Sequence, residues 1–160
     1  MTGADRPSAA LELSAVSVPF GPETPEGLKG VALVVAPGER LALVGASGVG
    51  KSSLLRAVAG LHPLTRGRIE VAGKDVSGAS PESRGTVYLG QIPLLFPHLT
   101  VLENVAFPLR VRGVARKARE ARALELLARV RLEELAERTP EALSGGERHR
   151  VALARAVAAR

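Results

Sequence analysis

The residues whose types and spacing most clearly suit a chemical function form a glycine-rich run in the first half of the chain. Residues 45–52, with the sequence GASGVGKS, match the phosphate-loop pattern GxxxxGK[ST] at every fixed position. Glycines let the backbone curl so that successive N–H groups point at phosphate oxygens, and a following helix directs its positive dipole end to the same place. The run therefore predicts a binding site for the phosphate groups of a nucleotide.

Side chains at the end of this loop have distinct predicted contacts with the nucleotide. We expect the Lys51 ammonium to reach the β- and γ-phosphates, the Ser52 hydroxyl to ligate Mg²⁺, and the Ser53 hydroxyl to reach the α-phosphate. A glycine-rich turn without a ligand is the alternative, and a full match between an apolar run and a helix argues against it. The predicted phosphate-binding residues are Gly45, Ala46, Ser47, Gly48, Val49, Gly50, Lys51, Ser52 and Ser53.

Short strands and one helix are predicted around the loop. The wholly apolar run at residues 41–44, directly before the loop, is typical of a strand buried on both faces. A helix is predicted over residues 52–59, with Gly60 as its C-terminal cap. Alternating or apolar runs predict further strands at residues 11–18, 31–35, 68–72 and 86–89.

The pattern changes to a helical period after Thr100. Helices are predicted at residues 101–111, 115–130, 132–137 and 148–160. Strands in the first part and helices in the second indicate an α/β core with a helical insertion.

Composition limits the class of protein. The 160 residues are 46% hydrophobic but only 2% aromatic, which predicts one globular domain with an aliphatic core. Cysteine is absent and the three histidines are far apart in the sequence, so we expect neither disulfides nor thiolate or histidine metal centres. No run of about 18 apolar residues and no signal-peptide pattern is present, so a cytoplasmic domain is the expectation.

The basic charge is concentrated in two places. The net charge is +6, and its excess lies mainly at residues 110–122 and in the last turns of the chain. No aromatic residues interleave these runs, as a stacking platform for single-stranded nucleic acid requires. A solvated helix face is therefore favoured over nucleic-acid binding.

A second motif, LSGGE, precedes the last predicted helix. Ser144 and Glu147 have the spacing of a capping box, which would start that helix. A capped helix N-terminus can also bind an anion, so a role in starting the helix and a role in binding are compatible. The motif comprises Leu143, Ser144, Gly145, Gly146 and Glu147.

With these two motifs about a hundred positions apart, the chain resembles the ATP-binding-cassette family, specifically the nucleotide-binding subunits of ABC transporters. The phosphate loop is similar to the family's Walker A motif, and residues 143–156 are similar to its signature motif and helix. Gln91 falls where the family has its Q-loop glutamine. Phe20, 25 positions before Gly45, falls where the family has an aromatic residue that stacks on adenine. His149 stands where the family more often has glutamine or arginine.

The resemblance implies an α/β fold: a P-loop NTPase core with a RecA-like sheet and an antiparallel β subdomain, plus a helical subdomain. It makes residues 1–160 a single, partial ATP-binding domain. Within it, residues 11–100 are the β subdomain and phosphate-loop core, residues 101–146 the helical subdomain, and residues 147–160 the signature helix. It also implies ATP and Mg²⁺ as cofactors, catalytic roles for Lys51 and Gln91, and metal ligation by Ser52 and Gln91.

Some of the family's catalytic residues have no counterpart in residues 1–160. In the family, the signature helix leads to a Walker B strand whose acidic residues hold Mg²⁺ and polarise the attacking water. The only aspartates here are Asp5 and Asp75, and neither follows an aliphatic run. The chain is therefore expected to be C-terminally incomplete, able to bind ATP and without the elements for hydrolysis.

The resemblance also implies partners and a location. A second ATP-binding subunit would form a head-to-tail dimer, and a membrane-embedded permease would dock near residues 91–104, at the cytoplasmic face of the plasma membrane. A bacterial importer is favoured over an exporter, and no nucleic-acid partner is expected. Two alternatives stay open: a soluble ABC-type ATPase of the translation-factor kind, and a non-catalytic nucleotide-binding fragment.

Overall fold

The structure is a computed structural model that describes residues 9–21 and 24–159. Contacts between residues divide the chain into two compact units, Met1–Thr86 and Val87–Arg160. We call them the first unit and the second unit.

The first unit contains a four-stranded antiparallel sheet. Its strands are β1 (Leu11–Gly21), β2 (Thr24–Val35), β3 (Arg66–Val71) and β4 (Lys74–Asp75), in the order β2-β1-β3-β4. The strands predicted at residues 11–18, 31–35 and 68–72 are confirmed, and β2 begins earlier than expected.

A bulge in β1 explains how its apolar residues reach one core. The ladder to β2 shifts register between Leu13 and Val16, and Ala15 has a φ of +50°. The extra residue moves the inward-facing set from odd to even positions. Leu13, Val16 and Val18 are consequently all buried, in one cluster with Ile69 of β3.

Helix α1 (Lys51–Val58) follows the phosphate loop and packs on this cluster through Leu54 and Ala57. Its predicted C-terminal cap is confirmed. Gly60 has a φ of +79°, its N–H donates to the Ala57 carbonyl at 3.1 Å, and the Leu61 N–H donates to the Arg56 carbonyl at 2.8 Å. These two bonds form a Schellman motif, which requires a left-handed residue at the position of Gly60.

The strands predicted at residues 41–44 and 86–89 are wrong, since neither segment has regular structure. Val44 is 89% exposed, and Leu41, Val87 and Leu89 are also exposed. An apolar run becomes a strand only where a neighbouring strand pairs with its backbone, and within the described residues no ladder includes these segments. The described chain therefore forms the expected antiparallel sheet but not the parallel strands of a RecA-like sheet.

The second unit is helical. Helices α2 (Val101–Val111), α3 (Arg116–Arg129) and α4 (Gly145–Ala158) are joined partly by 3₁₀ turns at Glu133–Leu135 and Pro140–Ala142. The helices predicted at residues 101–111 and 115–130 are confirmed, whereas residues 132–137 form only a short 3₁₀ turn. Helix α4 begins three residues before its predicted start, because its capping box places the first turn at Gly145. The subdomain boundaries inside residues 1–160 stay a prediction.

A single aliphatic core holds the three helices together. Its fully buried members come from all of them, and Leu143 of the LSGGE motif joins the same cluster. In the part of the chain that the structure describes, none of the helices combines the length and apolarity needed to cross a bilayer. The principal core residues are Val101, Val105, Ala123, Leu126, Leu127, Val151 and Ala154.

Candidate functional site

The last glycine of the phosphate loop has a conformation and surroundings that disfavour other residues. Gly50 is the N-cap of α1, is buried and has a φ of +100°. A β-carbon at this position would lie 2.8 Å from Cγ of Leu28 and 2.9 Å from Cε1 of Phe20. The backbone conformation favours glycine here, and a larger residue would force Leu28 or Phe20 to move.

Lys51 places a positive charge on the loop itself. Its Nζ donates to the Gly45 carbonyl at 2.8 Å and to the Ala46 carbonyl at 2.7 Å. An ammonium group carries three N–H donors, so this cation can also serve an anion held by the loop.

The N-terminus of α1 is open to a ligand. No described side chain caps it, and no acidic residue lies in its first turn. The first N–H groups of a helix have no intrahelical partner and carry the positive end of the dipole. Ser47, Gly48, Val49 and Ser52 are exposed beside them. The loop, the lysine and the helix end thus present one electropositive surface.

The structure brings Phe20 to this loop. Its ring edge reaches Gly50, and the side chain is 43% exposed. An aromatic ring with a free face next to a phosphate site can stack on a nucleotide base. Stacking on adenine stays a prediction.

Asp75 is the one aspartate within the described residues, and its carboxylate is already engaged. It accepts from the Ser77 N–H at 2.9 Å and the Ser77 hydroxyl at 2.7 Å, and it pairs with Arg68 at 3.2 Å. The Ser77 hydroxyl, then the Ser77 N–H and the Arg68 charge lower the pKa of Asp75. The described residues also contain no group of three or more His, Cys, Asp or Glu side chains suited to a metal ion.

The LSGGE motif forms the predicted capping box at the start of α4. The Ser144 N–H donates to Oε2 of Glu147 at 2.7 Å, and the Glu147 N–H donates to the Ser144 hydroxyl at 3.3 Å. The Ser144 hydroxyl, followed by its N–H, lowers the pKa of Glu147.

The glycines of this motif face open space. Ser144, Gly145 and Gly146 are exposed, and a β-carbon added at either glycine would meet no atom within 4 Å. Leu143 is instead buried in the core of its own unit. A group approaching from outside can therefore reach the backbone of the first turn of α4.

Gln91 lies in an exposed loop and is held through its backbone. Its carbonyl lies 2.7 Å from Nε2 of His149, while Nδ1 of the same ring lies 2.9 Å from the Gly145 carbonyl. The Gly145 contact, and then the Gln91 contact, raises the pKa of His149. The sequence does not pair His149 with Gln91, because 58 positions separate them.

Two sets of predicted site residues are thus assembled separately. Phe20 and residues 45–53 meet in the first unit, and Gln91 meets the start of α4 in the second. Ser52 and Gln91 belong to different units, so their convergence on one Mg²⁺ ion stays a prediction.

Known proteins resemble this chain over most of its length. Residues 28–160 match the ABC transporter family. The chain is 42% identical to the sn-glycerol-3-phosphate import ATP-binding protein UgpC 2 of Rhizobium johnstonii, over 93% of the chain and 43% of that protein. It is 44% identical to the spermidine/putrescine import ATP-binding protein PotA of Haemophilus ducreyi, over 92% of the chain and 39% of the relative.

A third relative has a similar extent. The chain is 46% identical to the Fe(3+) ions import ATP-binding protein FbpC of Streptomyces coelicolor, over 96% of the chain and 44% of that protein. The chain spans about two fifths of the length of these relatives. A family match over more than three quarters of the chain, on top of the phosphate loop and the LSGGE helix, establishes that this chain belongs to the ABC transporter family.

Proposed function

We propose that this chain is part of the ATP-binding subunit of a bacterial ABC importer and binds ATP through residues 45–53. The observation that carries the proposal is the uncapped N-terminus of α1 with the Lys51 ammonium already seated on the loop. An uncapped helix end beside a fixed cation is a site for a polyphosphate.

The proposed nucleotide extends from the loop towards Phe20. Its phosphates contact the loop N–H groups and Lys51, and the Ser53 hydroxyl reaches the α-phosphate. Its adenine stacks on the exposed Phe20 ring, whose edge lies next to Gly50, the N-cap of α1.

Mg²⁺ fits this site through oxygen ligands. Mg²⁺ keeps several waters and binds through few protein oxygens together with substrate phosphates, so it does not need a cage of acidic side chains. The exposed Ser52 hydroxyl at the start of α1 meets that requirement, and we propose the Gln91 amide oxygen as a further ligand. The ion, when bound, neutralises charge on the β- and γ-phosphates.

We further propose that these residues bind ATP without hydrolysing it by themselves. Hydrolysis requires a group that positions and polarises the attacking water. The carboxylate of Asp75 is occupied by Ser77 and Arg68, and Asp5 lies outside the described residues. Lys51 and Gln91 keep their proposed catalytic roles in the complete subunit.

A second ATP-binding subunit and a membrane permease are the proposed partners. The exposed Gly145 and Gly146 can approach the γ-phosphate of an ATP bound to the other subunit of a head-to-tail dimer. The import names of the relatives favour a permease at the cytoplasmic face of the membrane over a translation-factor role.

The transported substrate is set elsewhere in the proposed complex. The relatives are named for a phosphate ester, a polyamine and a ferric ion, although all are 42–46% identical to this chain. Similar ATP-binding chains therefore accompany chemically unrelated cargo.

Calorimetric titration with Mg·ATP tests the binding proposal. Lys51→Ala removes charge-assisted contacts worth about 1.5–3 kcal/mol, so its Kd should rise roughly ten- to a hundred-fold. Lys74→Ala, which removes an exposed lysine from β4, is the matched control and should bind like the unaltered protein. Equal Kd values for Lys51→Ala and the control would contradict the proposal.

A phosphate-release assay on the same samples tests the second part. We expect no turnover from residues 1–160 in either form. Turnover that depends on Lys51 would show that these residues contain their own catalytic base.

A further inference from the structure

The imidazole of His149 connects two backbone segments of the second unit. On one side, Nδ1 contacts the Gly145 carbonyl at 2.9 Å, one helical turn earlier in α4. On the other side, Nε2 contacts the Gln91 carbonyl at 2.7 Å. A neutral ring donates from one nitrogen and a doubly protonated ring from both, so every form keeps at least one of the two bonds.

The segment that contains Gln91 lies along α4 at a second place as well. The Arg155 guanidinium donates to the Leu94 carbonyl and lies 5.3 Å from the centre of the Phe96 ring. His149 and Arg155 are six residues apart on α4, and each contacts a backbone carbonyl of the same loop. His149 is the contact at the Gln91 end.

We propose that His149 is a positioning residue: it fixes the main chain at Gln91 relative to the first turn of α4. The Gln91 side chain starts from that backbone, so its reach depends on where the carbonyl is held. This inference rests on the proposed function, since the position of Gln91 affects turnover only if its amide acts at the ATP site. In a head-to-tail dimer, the same ring would connect the Gln91 of one ATP site to the LSGGE motif of the other.

Backbone NMR relaxation measures the structural half of the proposal without ATP. The ¹⁵N relaxation of the backbone is the readout, since the amides of Gln91 and Ile92 lie in an exposed loop and His149 holds the Gln91 carbonyl. In the full-length protein, His149→Ala should lower the order parameters of these two amides from rigid-backbone values of about 0.85 towards flexible values below about 0.6. His149→Gln should restore them, because a carboxamide N–H can also donate to a carbonyl oxygen. His98→Ala is the matched control: His98 is another exposed histidine of the second unit, packed at 6.2 Å on Phe96, and its loss should leave these amides unchanged.

Steady-state kinetics of the full-length subunit assembled with its permease measures the functional half. His149→Ala should lower kcat about ten-fold and change the KM for Mg·ATP much less, because residues 45–53 still bind the phosphates. His149→Gln should recover most of kcat. The positioning role is overturned if His149→Ala raises KM without lowering kcat, or if His149→Gln does not recover kcat.

The two measurements separate this inference from the proposed function. Unchanged order parameters at Gln91 and Ile92 in His149→Ala overturn the inference whatever the protein binds. Failure of the unaltered protein to bind Mg·ATP in calorimetry overturns the proposed function, and with it the catalytic half of the inference.

Discussion

Replacing Arg84 should destabilise the first unit more than replacing any exposed arginine. Arg84 is only 6% exposed, and its guanidinium donates to four backbone carbonyls. Two belong to the last turn of α1, Ala57 at 2.8 Å and Val58 at 3.3 Å, and burial lowers the pKa of the side chain. The cation therefore stabilises the negative end of the helix that begins at the phosphate loop.

The expected loss follows from the acceptors that Arg84→Met would leave behind. The Ala57 carbonyl keeps the N–H of Gly60, but the carbonyls of Val58, Ser77 and Ala79 lose the donor that Arg84 supplies. A buried acceptor without a partner costs about 1–3 kcal/mol. Val58, Ser77 and Ala79 are only half-buried, so water can replace part of the loss. We expect the free energy of unfolding to fall by about 3 kcal/mol.

Urea unfolding followed by circular dichroism measures this loss. Arg56→Met, an exposed arginine in the last turn of the same helix, is the matched control and should change the stability by less than about 0.5 kcal/mol. Arg84→Lys should fall between the two, because one ammonium cannot reproduce a planar fork of donors. If Arg84→Met and Arg56→Met unfold at the same urea concentration, the capping argument is refuted.

Three further predictions concern single contacts. Gly50→Ala should lower the free energy of unfolding by about 1–3 kcal/mol, because its φ is +100° and the new methyl group would meet Phe20 and Leu28. Gly48 also has a positive φ, +81°, but a β-carbon there would meet no atom within 4 Å. If Gly48→Ala and Gly50→Ala lose the same stability in urea unfolding, the contact of Gly50 with Phe20 and Leu28 does not contribute. Asn104→Leu should cost about 2–4 kcal/mol in the same assay, because its fully buried amide accepts from the Phe96 N–H at 2.8 Å and donates to the Leu99 carbonyl at 3.1 Å. A change below about 0.5 kcal/mol would refute this. Ser144→Ala should raise the pKa of Glu147 in a ¹³C carboxyl titration, because the Ser144 hydroxyl is the largest cause of its lowered value. The lowered pKa stabilises the folded protein fully at pH values above the unfolded pKa of Glu147, and this stabilisation is lost as the pH falls through the folded pKa. The free energies of unfolding of Ser144→Ala and of the unaltered protein should therefore converge in acid.

Features whose interacting groups are near neighbours in the chain could be predicted from the sequence. The phosphate loop, the Gly60 cap of α1 and the Ser144–Glu147 capping box each place their partners within a few residues. Backbone conformation and short-range hydrogen bonds decide such structures, and both can be inferred from residue type and spacing. The same holds for α2 and α3, whose helical period alone indicates their buried faces.

Only the tertiary structure decided which distant groups meet. The apolar run at residues 41–44 has the composition of a strand, but a strand also needs a paired neighbour, and composition does not supply one. The contact from His149 to Gln91 crosses 58 positions, and the one from Arg84 to Ala57 crosses 27. In both, a side-chain donor binds a backbone carbonyl. Every residue carries such a carbonyl, so the sequence shows the donor but not which acceptor the fold brings to it.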